Sequence, residues 1–146
     1  PSIEKYEIKK KYPNSLDIKI KTTEFLARIN YKGENFLVGN NGKLLKKNFS
    51  KVDLPYIFGK PQINEFLEFK KVIDNSSIKY NEIQTLFYFG SKRWDIKFKN
   101  NILIKLPKDV KKETLDKLLT FLENKKFQNS VILDARIKNQ IIILNE

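Results

Sequence analysis

Enzymes need groups that move protons, attack an electrophile or hold a metal, and this chain is short of them. Among its 146 residues there is no histidine, no cysteine and no methionine. That removes Ser-His-Asp and Cys-His nucleophiles, thiolate chemistry, disulfides and the common His/Cys zinc site. Carboxylates, lysines and hydroxyls remain. Asp134 is the one acid/base candidate, because it sits within an apolar strand pattern close to Arg136. Two residues apart on a strand, the two side chains share a face, and an ion pair is the simplest assignment. Asp53, Asp74, Asp95 and Asp109 fall near connectors or on solvent faces without motif spacing. Gly39-Asn40-Asn41-Gly42 lies in no GxGxxG or GxxxxGK pattern, so it reads as a hairpin turn rather than a phosphate loop. The residues point to no enzyme, and no metal or cofactor is expected.

Charge suggests a second class. Lys+Arg 29 against Asp+Glu 17 gives +12. Arginine occurs only at Arg28, Arg93 and Arg136, however, whereas base and phosphate readout favours the arginine fork. The lysines are scattered, and short clusters such as Lys9-Lys10-Lys11 fall within strand or helix patterns as solvated faces. The alternative to a protein-binding role is a basic single-stranded nucleic-acid-binding module. It would stack bases on Phe87, Tyr88 and Trp94 beside Lys92 and Arg93. Against it, Trp94, Ile96 and Phe98 alternate as core residues do, as do Phe87 and Phe89.

The elements that must position these residues follow from periodicity. Residues 4–23 alternate with a period of two about Tyr12-Pro13-Asn14-Ser15 and read as a β-hairpin, which is marginal on its own. A second hairpin runs over Phe25 to Tyr31 and Phe36 to Val38, and Lys43 to Leu45 returns after the Asn-Gly turn. Leu54 to Gly59 is apolar but holds a proline and ends in glycine, so a buried connector is expected rather than a central strand. A helix of about four turns starts after Pro61 and ends at Asn75-Ser76-Ser77. The strand Ile83 to Phe89 is apolar on both faces. In Arg93 to Lys99, Trp94, Ile96 and Phe98 point inward and Arg93, Asp95, Lys97 and Lys99 outward. Ile102 to Leu106 returns, and a second helix spans about Val110 to Lys126 with Leu115, Leu118, Leu119 and Leu122 on one face. Val131 to Ile137 and Ile141 to Leu144 close the chain. The fold class is α+β, a mainly antiparallel β-sheet with two packed helices.

Ile141-Ile142-Ile143-Leu144 is four branched apolar residues without a charge or proline to protect a sheet edge. At an edge it would offer unpaired N–H and C=O groups for strand addition. No stretch nears the ~20 apolar residues that span a bilayer. A chain beginning Pro1-Ser2-Ile3 reads as an internal piece whose N-terminus lies upstream.

Laid out in order, these segments resemble the FtsQ/DivIB cell-division family. Ser2 to Ile20, with its aromatic-proline turn, is similar to the last hairpin of a POTRA domain. Ala27-Arg28-Ile29, Phe36-Leu37-Val38 before Asn41-Gly42, and Leu54-Pro55 with Gly59 follow. Arg93-Trp94-Asp95-Ile96-Lys97-Phe98, with Asn100, Ile102 to Leu106 and Pro107, is the most specific part. Leu133-Asp134-Ala135-Arg136 resembles the family's closing strand. The resemblance implies residues 1–29 as the C-terminal hairpin of a POTRA domain and 30–146 as a β domain. It implies a non-enzymatic scaffold of the divisome that binds FtsB-like and FtsL-like proteins. It also implies a single-pass inner-membrane protein, with this part on the periplasmic side at the septum and the membrane helix and first POTRA half before Pro1. The family's partner contact, carried over, falls on Ile141, Ile142, Ile143 and Leu144 and on Ala135, Arg136 and Ile137. Lys92 and Arg93 would meet an acidic partner residue.

Overall fold

A computed structural model describes residues 2–11, 15–47, 52–124 and 131–145, with side-chain surroundings for 23–47, 52–124 and 131–144. Strands β1 (Ser2–Lys11) and β2 (Ser15–Thr23) form a two-stranded antiparallel sheet in which Tyr6 faces Ile20 and Ile8 faces Ile18. This is the hairpin expected over 4–23; its turn at Tyr12-Pro13-Asn14 lies outside the described residues.

Nine further strands make one sheet: β3 (Phe25–Tyr31), β4 (Glu34–Gly39), β5 (Leu44–Lys46), β6 (Tyr56–Phe58), β7 (Ile83–Phe89), β8 (Arg93–Phe98), β9 (Ile102–Lys105), β10 (Val131–Asp134) and β11 (Ile142–Asn145). Their order is β11-β10-β9-β8-β7-β6-β3-β4-β5. The sheet begins with β3, so the join between the two sheets falls at Glu24. Five pairings are antiparallel and three parallel. Two of the parallel pairs are helical crossovers: α1 (Ile63–Asn75) links β6 to β7, and α2 (Lys112–Asn124) links β9 to β10. A helix between two strands returns the chain to its starting end, which hairpin reasoning does not anticipate. The fold is α+β, as the periodicities imply.

Both helices lie on one face. In register, Ile57, Leu86, Ile96, Ile104, Leu133 and Ile143 form one row across six strands. The first five are buried with Phe66, Phe69 and Ile73 of α1 and Leu115 and Leu118 of α2, and Ile143 packs half-buried at the row's end. Trp94 stacks on Phe69 with ring centroids 4.8 Å apart. Gln62 and Glu65 form a capping box at the start of α1, the Gln62 N–H donating to the Glu65 carboxylate at 3.1 Å. The same carboxylate accepts the Tyr88 hydroxyl at 2.5 Å, fastening the helix start to β7 and lowering the Glu65 pKa.

Three expectations are corrected. Leu54 to Gly59 holds β6, a short central strand, because Pro55 precedes the first paired residue and so removes no ladder donor. Gly59, at φ +104°, then turns the chain where any Cβ would strike the Tyr88 carbonyl. Phe87 and Phe89 do not face the core: an irregularity between Ile83 and Thr85 shifts the alternation, turning Leu86 and Tyr88 toward the helices. Asp95 is not solvated but 3% exposed. It pairs with Arg93 and accepts the Leu106 N–H. Burial raises its pKa, against the pull of Arg93.

Candidate functional site

Strand β11 ends the sheet, and its only partner among the described residues is β10. The phase of its backbone follows from β10. The Ala135 N–H donates to the Lys105 carbonyl of β9 at 2.9 Å. In a strand the hydrogen-bonding groups of successive residues point to alternate sides, so Val131, Leu133 and Ala135 bond toward β9 while Ile132 and Asp134 bond toward β11. Ile132 faces Leu144 and Asp134 faces Ile142. Ile142 and Leu144 therefore spend their N–H and C=O groups on β10, and those of Ile141, Ile143 and Asn145 point outward. Side chains alternate as well: Ile143 lies on the helix side, while Ile142 and Leu144 are exposed on the opposite face.

The loop before β11 is held by Asp134. One carboxylate oxygen accepts the Arg136 N–H at 3.1 Å and Nε at 2.9 Å, and the other accepts Nη2 at 2.6 Å. This is the ion pair that the spacing implies. Arg136 lowers the Asp134 pKa, chiefly through these side-chain bonds, against the opposing effect of burial. Beyond it, residues 135–141 form one wall of an open groove of about 720 Å³ whose other wall is the start of α2. Leu118, Ala135, Ile137 and Ile141 supply its apolar lining. Around them Lys108, Lys111, Lys117, Arg136 and Lys138 outnumber Asp109 and Glu113.

The structure thus brings Ala135, Arg136, Ile137 and Ile141 into one groove that runs into Ile142, Ile143 and Leu144. It does not bring Lys92 and Arg93 there. Arg93 is on β8, three strands from β11, roughly 14 Å at ~4.8 Å per strand. Its guanidinium bonds Asp95 and the Leu106 carbonyl. Lys92 is an exposed residue with φ 63° in the β7–β8 turn. The α2 wall of the groove was not foreseen: its lysines have the spacing of an ordinary solvated helix face, and only the parallel return of β10 sets them beside Ile137. Two of the rings in the nucleic-acid reading, Tyr88 and Trp94, turn toward the helices.

Residues 27–136 match the family model for the C-terminal region of cell division protein FtsQ/DivIB. The chain belongs to the FtsQ/DivIB family. A comparison with curated proteins found none that matches. FtsQ/DivIB proteins are membrane-anchored cell-division proteins of a non-enzymatic scaffold type that work with partner proteins in the divisome. The match runs from Ala27 within β3 through β10 to Arg136, and β11 lies beyond it. Among the described residues, no helix is long and apolar enough to cross a membrane.

Proposed function

We propose that this chain is the periplasmic part of an FtsQ-like divisome scaffold that captures an FtsB-like partner, and through it an FtsL-like one, by adding a partner strand to β11. In this reading the hairpin β1–β2 is the end of a POTRA domain, the β domain starts with β3 rather than at residue 30, and a single-pass inner-membrane helix precedes both. The protein acts on the periplasmic side at the septum and catalyses nothing.

One observation carries the reading: β11 ends the sheet with the backbone groups of Ile141, Ile143 and Asn145 directed away from β10. Added main-chain hydrogen bonds supply affinity and side-chain alternation supplies selection. The basic groove beside Ile141 suits acidic residues flanking the partner strand. Lys92 and Arg93 are assigned a lesser part, as a positive field at the β7–β8 end of the sheet.

The test is calorimetric titration of the chain with the periplasmic region of an FtsB-like protein. Saturable binding that Ile143→Pro abolishes supports the reading. Binding unaffected by that change contradicts it.

A further inference from the structure

The sheet face away from the helices bears a strip of aromatic rings that the β11 edge does not use. Tyr56 and Phe58 of β6 and Phe87 and Phe89 of β7 lie on it, opposite in phase to the buried Ile57 and Leu86. Phe58 is 52% exposed and Phe89 39%, in the middle of a sheet where isolated polar residues would suffice. Contiguous exposed apolar surface of this kind marks an interaction site. The rings are ordered among themselves: Phe58 and Phe87 stack within 7° of parallel at 5.4 Å, and Tyr56 meets Phe58 edge-on at 4.7 Å. The Arg93 guanidinium lies 4.4 Å from the Phe89 ring and that of Arg28 5.9 Å from the Tyr56 ring.

Charge says what fits there. On the strands of this face Arg28, Arg93, Lys97 and Lys105 stand against Asp95 and Asp134, four against two. Both carboxylates are engaged by arginines. Ring geometry separates a protein from a nucleic acid. Base stacking needs open ring faces, but the stacked pair covers one face each of Phe58 and Phe87, and the Arg93 guanidinium covers one face of Phe89. The apolar surface that remains exposed on Phe58 and Phe89 suits aliphatic and aromatic side chains.

We propose that this strip is a second docking surface, for an acidic partner segment whose leucine or phenylalanine side chains lodge among the rings while its carboxylates reach Lys97 and Lys105. It is independent of the β11 reading. Strand β7 is four strands from β11, roughly 19 Å, and the two surfaces share no residue.

The experiment is an amide-shift NMR titration of the 146-residue chain with three probes: a synthetic glutamate–leucine–phenylalanine peptide, oligo(dT), and phosphatidylglycerol vesicles. The peptide is expected to give saturable shifts at residues 56–58 and 85–89 and none at 142–145. Phe58→Ser weakens it about tenfold or more, and Lys97→Glu weakens it while leaving every ring in place. Should Phe58→Ser fail to fold, Lys97→Glu decides alone. Shifts produced at these residues by oligo(dT) or vesicles instead, peptide shifts centred on β11, no saturation, or equal affinity for Lys97→Glu would each overturn the proposal.

Discussion

The nine-stranded sheet has two edges, and the chain treats them oppositely. At one end β5 is three residues long, its outward backbone groups belong to Leu44 and Lys46, and the Lys46 side chain is tied to Glu34 at 3.0 Å, with Lys47 next in sequence. Shortness and lysine are the usual protections against unwanted pairing. At the other end β11 has branched apolar residues throughout 141–144 and no charge. Among the described residues, one edge strand carries lysine and an ion pair and the other carries neither. This asymmetry supports the strand pairing proposed at β11.

The largest expected effect breaks that contrast at the backbone. Ile143→Pro removes one outward N–H, keeps every bond to β10, and places its ring where the partner strand must approach; it should cost the FtsB-like partner about tenfold from the lost hydrogen bond and more from the ring's obstruction. Leu44→Pro removes an outward N–H of β5 and should leave that affinity unchanged; calorimetry of both variants measures the difference. Ile142→Pro comes next and acts on the opposite phase. Its N–H serves β10, so the fold itself should lose about 1–3 kcal/mol in urea denaturation from the broken ladder, a backbone loss that Ile143→Pro avoids, its own cost coming only from the half-buried side chain.

Asp134→Asn should cost about 1 kcal/mol at neutral pH, the partly exposed Arg136 pair being the interaction removed. The sign with pH is fixed. Because the folded-state pKa of Asp134 lies below its ordinary value, its contribution is present above the unfolded pKa of about 3.9 and is lost as pH falls through the folded value. Wild type and variant should converge in acid. Asp95 has a raised pKa, so its contribution is present at low pH and is lost as pH climbs through the carboxylate range. Asp95→Asn should therefore gain on the wild type over that range in the same denaturation series. The smallest effect is Lys92→Glu, a several-fold loss of partner affinity that shrinks with added salt. Arg93→Glu is no equivalent, since it sets a second carboxylate against the buried Asp95 and attacks the fold.

Much of this was legible in the sequence. The alternation of Trp94, Ile96 and Phe98 gave β8 and its buried face, the leucines gave α2, and the spacing of Asp134 and Arg136 gave their ion pair. The apolar run at 141–144 marked an unprotected strand before its neighbour was known. What escaped depended on long-range pairing. A proline disguised β6 because its harmlessness rests on where the first ladder bond falls. An irregularity of one residue in β7 reversed which phenylalanines face solvent, and no local pattern announces that. Asp95 read as solvated because no local pattern shows that Arg93 pairs with it or that the Leu106 N–H reaches it from the next strand's end.

The central claim is that the outward groups of β11 are the partner's. Amide hydrogen exchange of Ile143 against Ile142, with and without the FtsB-like periplasmic region, tests it most directly. The account predicts that in the free chain Ile143 exchanges faster than Ile142, whose N–H is bonded to β10, and that the partner slows Ile143 at least about tenfold while leaving Leu44 of β5 as it was. A complex in which the Ile143 amide stays fast, or in which protection falls on β5 instead, would contradict it.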